Sequence, residues 1–112
     1  MNWRDHASND ELDVLEDPSQ HGTRTFRLIA ARVLDVATFR LVKSQLHERE
    51  HAHWEMAWSR GKNDPLIVGL KSKIIDILEE LDQKTGAHGH KGAAWMDKKW
   101  EELKSHFHAL TT

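Results

Sequence analysis

The sequence predicts an all-α domain, and three features of the chain lead there. Proline occurs only at Pro18 and Pro65, so long stretches lack the residue that most strongly interrupts a helix. Glycines gather at Gly22, Gly61, Gly69 and the run Gly86, Gly89, Gly92, where they punctuate the chain. Between these marks, apolar residues recur at three- and four-residue steps, the period of a helix with one buried face. The expected architecture is one long helix over residues 23–60 followed by a C-terminal helical hairpin, over 64–84 and 92–110. This three-helix arrangement becomes a four-helix bundle if the long helix breaks, for example by a kink near Thr38. Residues 1–22 read as an acidic, partly flexible N-terminal arm, and 23–112 as a single helical domain.

Within the arm, Ser8 followed by Glu11 matches a capping box and predicts a short helix in SNDELDVLED. In the long stretch, Phe26, Ile29, Val33, Val36, Arg40, Ser44, His47, His51, Trp54 and Trp58 fall within one helical stripe. Leu28, Phe39, Val42 and Leu46 form a second stripe nearly opposite. A helix that is apolar on two sides is normally buried between partners. A strand pair through 25–42 is the competing reading, because β-branched and aromatic residues are frequent there. Alternation fails at Ala30-Ala31 and Val33-Leu34, however, and no hairpin turn divides the segment.

The later helices are simpler. Asp64 suits an N-cap and Pro65 the first helical position. Ile67, Leu70, Ile74, Ile77, Leu78 and Leu81 then form one face, and Thr85-Gly86 supplies a stop. Met96, Trp100, Leu103, Phe107 and Leu110 stack along one face of the last helix. An unbroken 23–60 helix would be about 57 Å long, against about 30 Å for each hairpin helix. Half of it would stay uncovered and needs another partner, the N-terminal arm or a second copy of the chain; the expectation is a homodimer in which long helices pack together.

Composition narrows the function classes. The chain has 112 residues, 30% charged and 38% hydrophobic, with a net charge of −2. That is a globular composition of single-domain size. Without cysteine there are no disulfides, thiolate metal sites or cysteine nucleophiles. No apolar run approaches a membrane span, and the N-terminus lacks the apolar stretch of a secretory signal, so a cytoplasmic protein is expected. Residues 1–20 carry six acids against Arg4, whereas residues 21–60 carry seven bases against four acids. The bases Arg24, Arg27, Arg32, Arg40 and Lys43 are spread around the helix and form no single stripe, so nucleic acid is a disfavoured partner.

Two motifs raise questions of chemistry. HEREHAHWEMAW, residues 47–58, contains H-E-x-x-H. On a continuous helix His47 and His51 would lie one turn apart, as two imidazoles sharing Zn²⁺ require, with Glu48 as the general base. Over these five residues the stretch resembles the active-site helix of zincin-type metallopeptidases. It departs from that pattern at Arg49 and Glu50, both charged, and lacks a G-x-x-H continuation. A non-catalytic site holding zinc through His47 and His51, with His88, His90, His106 or His108 as further ligands, is the milder form of the same reading. GAHGHKG, residues 86–92, lacks the strand-before, helix-after context of a phosphate loop and reads as an interhelical connection.

The reading that remains is a non-enzymatic protein-binding module, an adaptor or inhibitor acting as a homodimer, without a cofactor. Small, cysteine-free, charge-rich chains of this kind are common among phage and bacterial accessory proteins, an analogy and not a site-based argument. Aromatic anchors are enriched at interfaces. The expected contact strip is Trp54, Trp58, His47 and His51, with Arg40 and Glu55 as charged neighbours.

Overall fold

The computed structural model describes residues 2–18, 21–83 and 92–112. All regular structure among them is helical: α1 (Asn9–Glu16), α2 (Thr23–Gln45), α3 (His51–Arg60), α4 (Pro65–Gln83) and α5 (Gly92–Thr111). Short 3₁₀ turns at Trp3–His6 and Glu48–Glu50 precede α1 and α3. The all-α class predicted from the sequence is therefore the class observed.

The capping signals act where the sequence places them. Ser8 Oγ accepts from the Glu11 amide at 3.2 Å, and the Glu11 carboxylate accepts from the Ser8 amide at 2.9 Å, opening α1. Asp64 Oδ1 accepts from the Leu66 amide at 2.9 Å and starts α4. Gly61 ends α3 in the left-handed region at φ 60°, and Lys62 donates back to the Ala57 carbonyl. The expected stop at Thr85-Gly86 and the GAHGHKG connection lie outside the described residues, except Gly92, the first residue of α5.

The expected continuous helix over 23–60 is corrected. Thr38 lies inside α2, its hydroxyl bonded to the Leu34 carbonyl, and the chain leaves the helix at Leu46, whose backbone is extended at φ −95° and ψ 155°. The physical reason is the run His47-Glu48-Arg49-Glu50-His51, which has no apolar side chain to hold a helix on a core. Turning back at this point lets α3 lay Trp54 and Trp58 against α2, leaving them 6% and 4% exposed. A buried tryptophan removes roughly 150–250 Å² from water, an upper estimate of about 4–6 kcal/mol each, which outweighs the few helical hydrogen bonds lost at the break.

Helices α2, α4 and α5 form the central layer. Leu66 at the start of α4 lies beside Val42 and Leu46, whereas Ile74 and Ile75 lie beside Ala31 and Arg32, so α4 runs antiparallel to α2. Helix α5 returns along α4, with the buried ammonium of Lys99 held at 2.7 Å from Glu80 and 2.8 Å from Glu102. Burial alone would lower the pKa of Lys99, but its hydrogen bonds to Glu102 and Glu80 outweigh that and hold it above the usual lysine value. Of the α5 stripe, Met96, Trp100, Leu103 and Phe107 are buried, while Leu110 is 40% exposed.

Residues 2–16, expected as a partly flexible arm, contribute to the core: Trp3 and Leu15 are fully buried. They lie along α2 and α5. The fit is closest at Gly92, where an added Cβ would stand 2.1 Å from the Leu15 carbonyl oxygen and 2.8 Å from Phe26. At Gly69 the nearest atom would instead be Leu110 Cδ1 at 2.8 Å, the end of a half-exposed flexible side chain. One substitution therefore has opposite outcomes in two helices. Gly92→Ala should lower stability by about 1–3 kcal/mol through overpacking. Gly69→Ala should be neutral or raise it by up to about 1 kcal/mol through helix propensity. Paired denaturant titrations check both.

Candidate functional site

The H-E-x-x-H residues do not share one α-helix. His47 has extended backbone at φ −65° and ψ 144°, Glu48 to Glu50 form a 3₁₀ turn, and α3 begins only at His51. The one-turn separation on a helical face, on which the zinc reading with Glu48 as base depended, is thus corrected by the break at Leu46. The His51 ring lies 3.3 Å from the Leu46 carbonyl, the length of a hydrogen bond that ties α3 to the end of α2. Among the described residues, no three His, Asp or Glu side chains gather closely enough to hold a metal ion. His88 and His90 lie outside the described residues.

The tryptophans expected on a contact strip are mostly inside. Trp54 Nε1 donates to the Phe39 carbonyl at 3.3 Å, and Trp58 Nε1 donates to Asp35 Oδ2 at 3.2 Å. Their rings lie 5.5 Å apart, and Phe39 lies 6.4 Å from Trp58. The Lys71 ammonium of α4 stands 4.6 Å from the centre of the Trp58 ring, a cation–π contact that joins α3 to α4. Both indole N–H groups are satisfied, so these side chains act first as packing.

Around this cluster the surface opens in two places. A cleft of about 290 Å³ runs between α2 and α3, lined by Asp35, Val36, Phe39, Arg40, Lys43, Glu55, Trp58 and Ser59. Three of the residues expected at an interface, Arg40, Glu55 and Trp58, therefore meet here. Lys43 pairs with Glu55 across the cleft, and its hydrogen bond holds the Glu55 carboxyl below the ordinary carboxylate range. A second groove of about 420 Å³ lies between α2 and α4, lined by Ala31, Arg32, Asp35, Lys71, Ile74 and Ile75. Asp35 borders both. Because α3 spans only 10 residues, the valley between α2 and α4 continues past its end. Ile75, 54% exposed, lines that groove, and Leu28, 62% exposed, lies one helical turn before its lining residues Ala31 and Arg32.

Asp35, Lys43 and Lys71 escaped the sequence reading. Asp35 is the only acidic residue in α2 and interrupts an apolar run, which is a usable signal. Lys71 looks like any lysine on an amphipathic helix, and only the fold-back of α3 brings Trp58 to it.

No protein family, curated protein or solved structure matches this chain.

If Trp58 is packing before it is contact surface, Trp58→Ala should lower stability by about 3–5 kcal/mol. Arg40→Ala should change it by no more than about 0.5 kcal/mol. Thermal unfolding of the two variants separates the roles. Zinc titration of the untagged protein should give the same binding isotherm for wild type and His47→Ala, measured by calorimetry, because His47 and His51 do not share a helical face.

Proposed function

We propose that the protein is a non-enzymatic helical module that binds another protein, and that the contact surface is the α2–α4 groove together with the α2–α3 cleft. One observation carries this reading. Ile75, a large aliphatic side chain left more than half exposed, lines a groove whose walls come from α2 and α4 alone, and Leu28, exposed likewise, lies one helical turn along α2 from Ala31 and Arg32. Aliphatic exposure of this kind, rimmed by charge, is the usual signature of a docking surface.

The shape and charge of the groove define its occupant. It is a valley between antiparallel helices, so a short amphipathic helix continuing the line of α3 would present side chains at i, i+3 and i+4 to Ala31, Ile74 and Ile75. Arg32 and Lys71 line it, with Asp35 as the one acid among its lining residues. Such a rim favours a helix with acidic flanks, through steering and partner choice more than through raw affinity. At the other end, Arg40 and Glu55 frame the cleft and give the partner's register a charged reference.

The length argument for a homodimer changes with the fold. With the chain leaving the helix at Leu46, no helix of about 57 Å stands half uncovered, so the groove, not the long helix, is where self-association would occur. A different protein remains the partner we favour, in the role of adaptor or inhibitor.

Selection of helical peptides from a displayed library against the full-length protein tests this reading. It predicts an acidic, amphipathic consensus binding with a Kd of about 1–100 μM. Leu28→Glu and Ile75→Glu should each weaken that binding about tenfold or more, a difference of about 1.4 kcal/mol, at unchanged thermal stability. Peptides that bind without regard to these two substitutions would overturn the assignment of the surface. A mass of twice 13.0 kDa by light scattering, lost in Ile75→Glu, would make a second copy the occupant in place of a foreign helix.

A further inference from the structure

The N-terminal segment is held by two ionic clamps with one histidine between them. On the α5 side, Arg4 Nη1 lies 2.7 Å from Asp97 Oδ1 and Nη2 lies 3.4 Å from Oδ2, while Trp3 Nε1 donates to Asp97 Oδ1 at 2.9 Å. On the α2 side, Arg32 binds the Glu11 carboxylate through Nε and Nη2, and its Nη2 also donates to the His6 carbonyl at 2.9 Å. His6 itself is half-buried, and its Nε2 is enclosed without a hydrogen-bond partner. We propose that residues 2–16 are an acid-released latch, seated along α2 and α5 at neutral pH and let go when His6 and then the clamp carboxylates are protonated.

The geometry around His6 gives the direction. With its proton on Nδ1, a neutral imidazole leaves the enclosed Nε2 as an idle acceptor, whereas a protonated ring must place an N–H there, with no acceptor to receive it. The charges facing it from α2 are Arg40 and Arg32, both positive. Asp5, on its own turn, is an opposing carboxylate, and Glu11 on α1 is already engaged by Arg32. Burial first, and the Arg40 charge second, push the pKa of His6 below its ordinary 6.5, against the smaller pull of Asp5.

Hydrogen bonds from Arg32 to Glu11 and from Arg4 to Asp97 hold both carboxyls below their ordinary values of 4.5 and 3.8. All three groups bind a proton more readily when the segment is released, so each favours the seated state at higher pH. The His6 contribution is complete above 6.5 and is lost as pH falls from there toward its depressed value. The carboxylate contributions persist through that range and are lost only below 4.5 and 3.8. Histidine is therefore the trigger, and the clamps set how far release proceeds. What leaves with the segment is Trp3 and Leu15, and what it uncovers is the end of the bundle around Phe26 and Gly92.

The absence of cysteine allows a clean test. Spin labels on Asp10→Cys in α1 and Ser105→Cys in α5, two exposed positions, report the separation of the segment from the bundle by double electron–electron resonance. One narrow distance is expected at about pH 7.5, with a second, longer and broader population growing below about pH 6.5 while circular dichroism retains most of the helix. His6→Gln stays neutral throughout and should cut the long-distance population at about pH 5 roughly fivefold. Gly92→Ala, which wedges the seat apart, should show that population already at neutral pH. An unchanged distance between about pH 7.5 and 5, an equal response in His6→Gln, or a response that appears only with loss of the whole helical signal would each overturn the proposal.

Discussion

Helix α2 carries apolar side chains on two nearly opposite faces, and the placement of every other element follows from covering them. Phe26, Ala30, Val33, Leu34 and Ala37 of α2 lie in one core cluster with the buried faces of α4 and α5. Residues 2–16 close the valley beside α5 with Trp3 and Leu15, and α3 folds back over the C-terminal half with Trp54 and Trp58. Each cover is fastened at its rim by a charged pair to the bundle, Arg4–Asp97 and Arg32–Glu11 on one side and Lys43–Glu55 on the other. Exposed pairs of this kind contribute little stability. They fix where a cover sits, while burial of its aromatic anchors supplies most of the free energy.

The covers are not of equal extent, and the proposed function lies in the difference. Helix α3 is too short to run the whole α2–α4 valley, so the groove at Ala31, Ile74 and Ile75 stays open. The N-terminal segment fits its valley closely, with Gly92 allowing the Leu15 carbonyl to approach, but it does so with a histidine nitrogen enclosed and unpartnered. One cover thus leaves the groove that we propose takes a foreign helix. The other is bistable by construction, because its closest packing and its least favourable protonation sit in the same segment.

Much of this fold was legible in the chain. The capping box at Ser8 and Glu11, the Asp64-Pro65 start of α4 and the Met96–Phe107 stripe of α5 are local signals, and local physics decides them. The two-sided apolar pattern of the segment before residue 46 pointed to burial between packed elements, and Phe26, Val33 and Val42 are buried while Leu28 stays exposed. Which elements of the chain lie against α2 could not be read, because that depends on where the backbone turns. The turn at Leu46–His47 carries no proline or glycine, and only the charged run that follows marks it. The surface around Asp35 was legible in part for the same reason. Arg40, Glu55 and Trp58 were found by type and spacing, whereas Lys71 reaches Trp58 only through the fold-back.

The fold-back is the central claim, since both the buried tryptophans and the open groove depend on it. Amide hydrogen exchange across residues 39–58 measures it directly. Strong protection is expected at Arg40 to Val42 and again at Met56 to Trp58, with fast exchange at Glu48 and Arg49, whose amides sit at the start of the turn. Unbroken protection from Val42 through Trp54, as one continuous helix would give, would contradict the account.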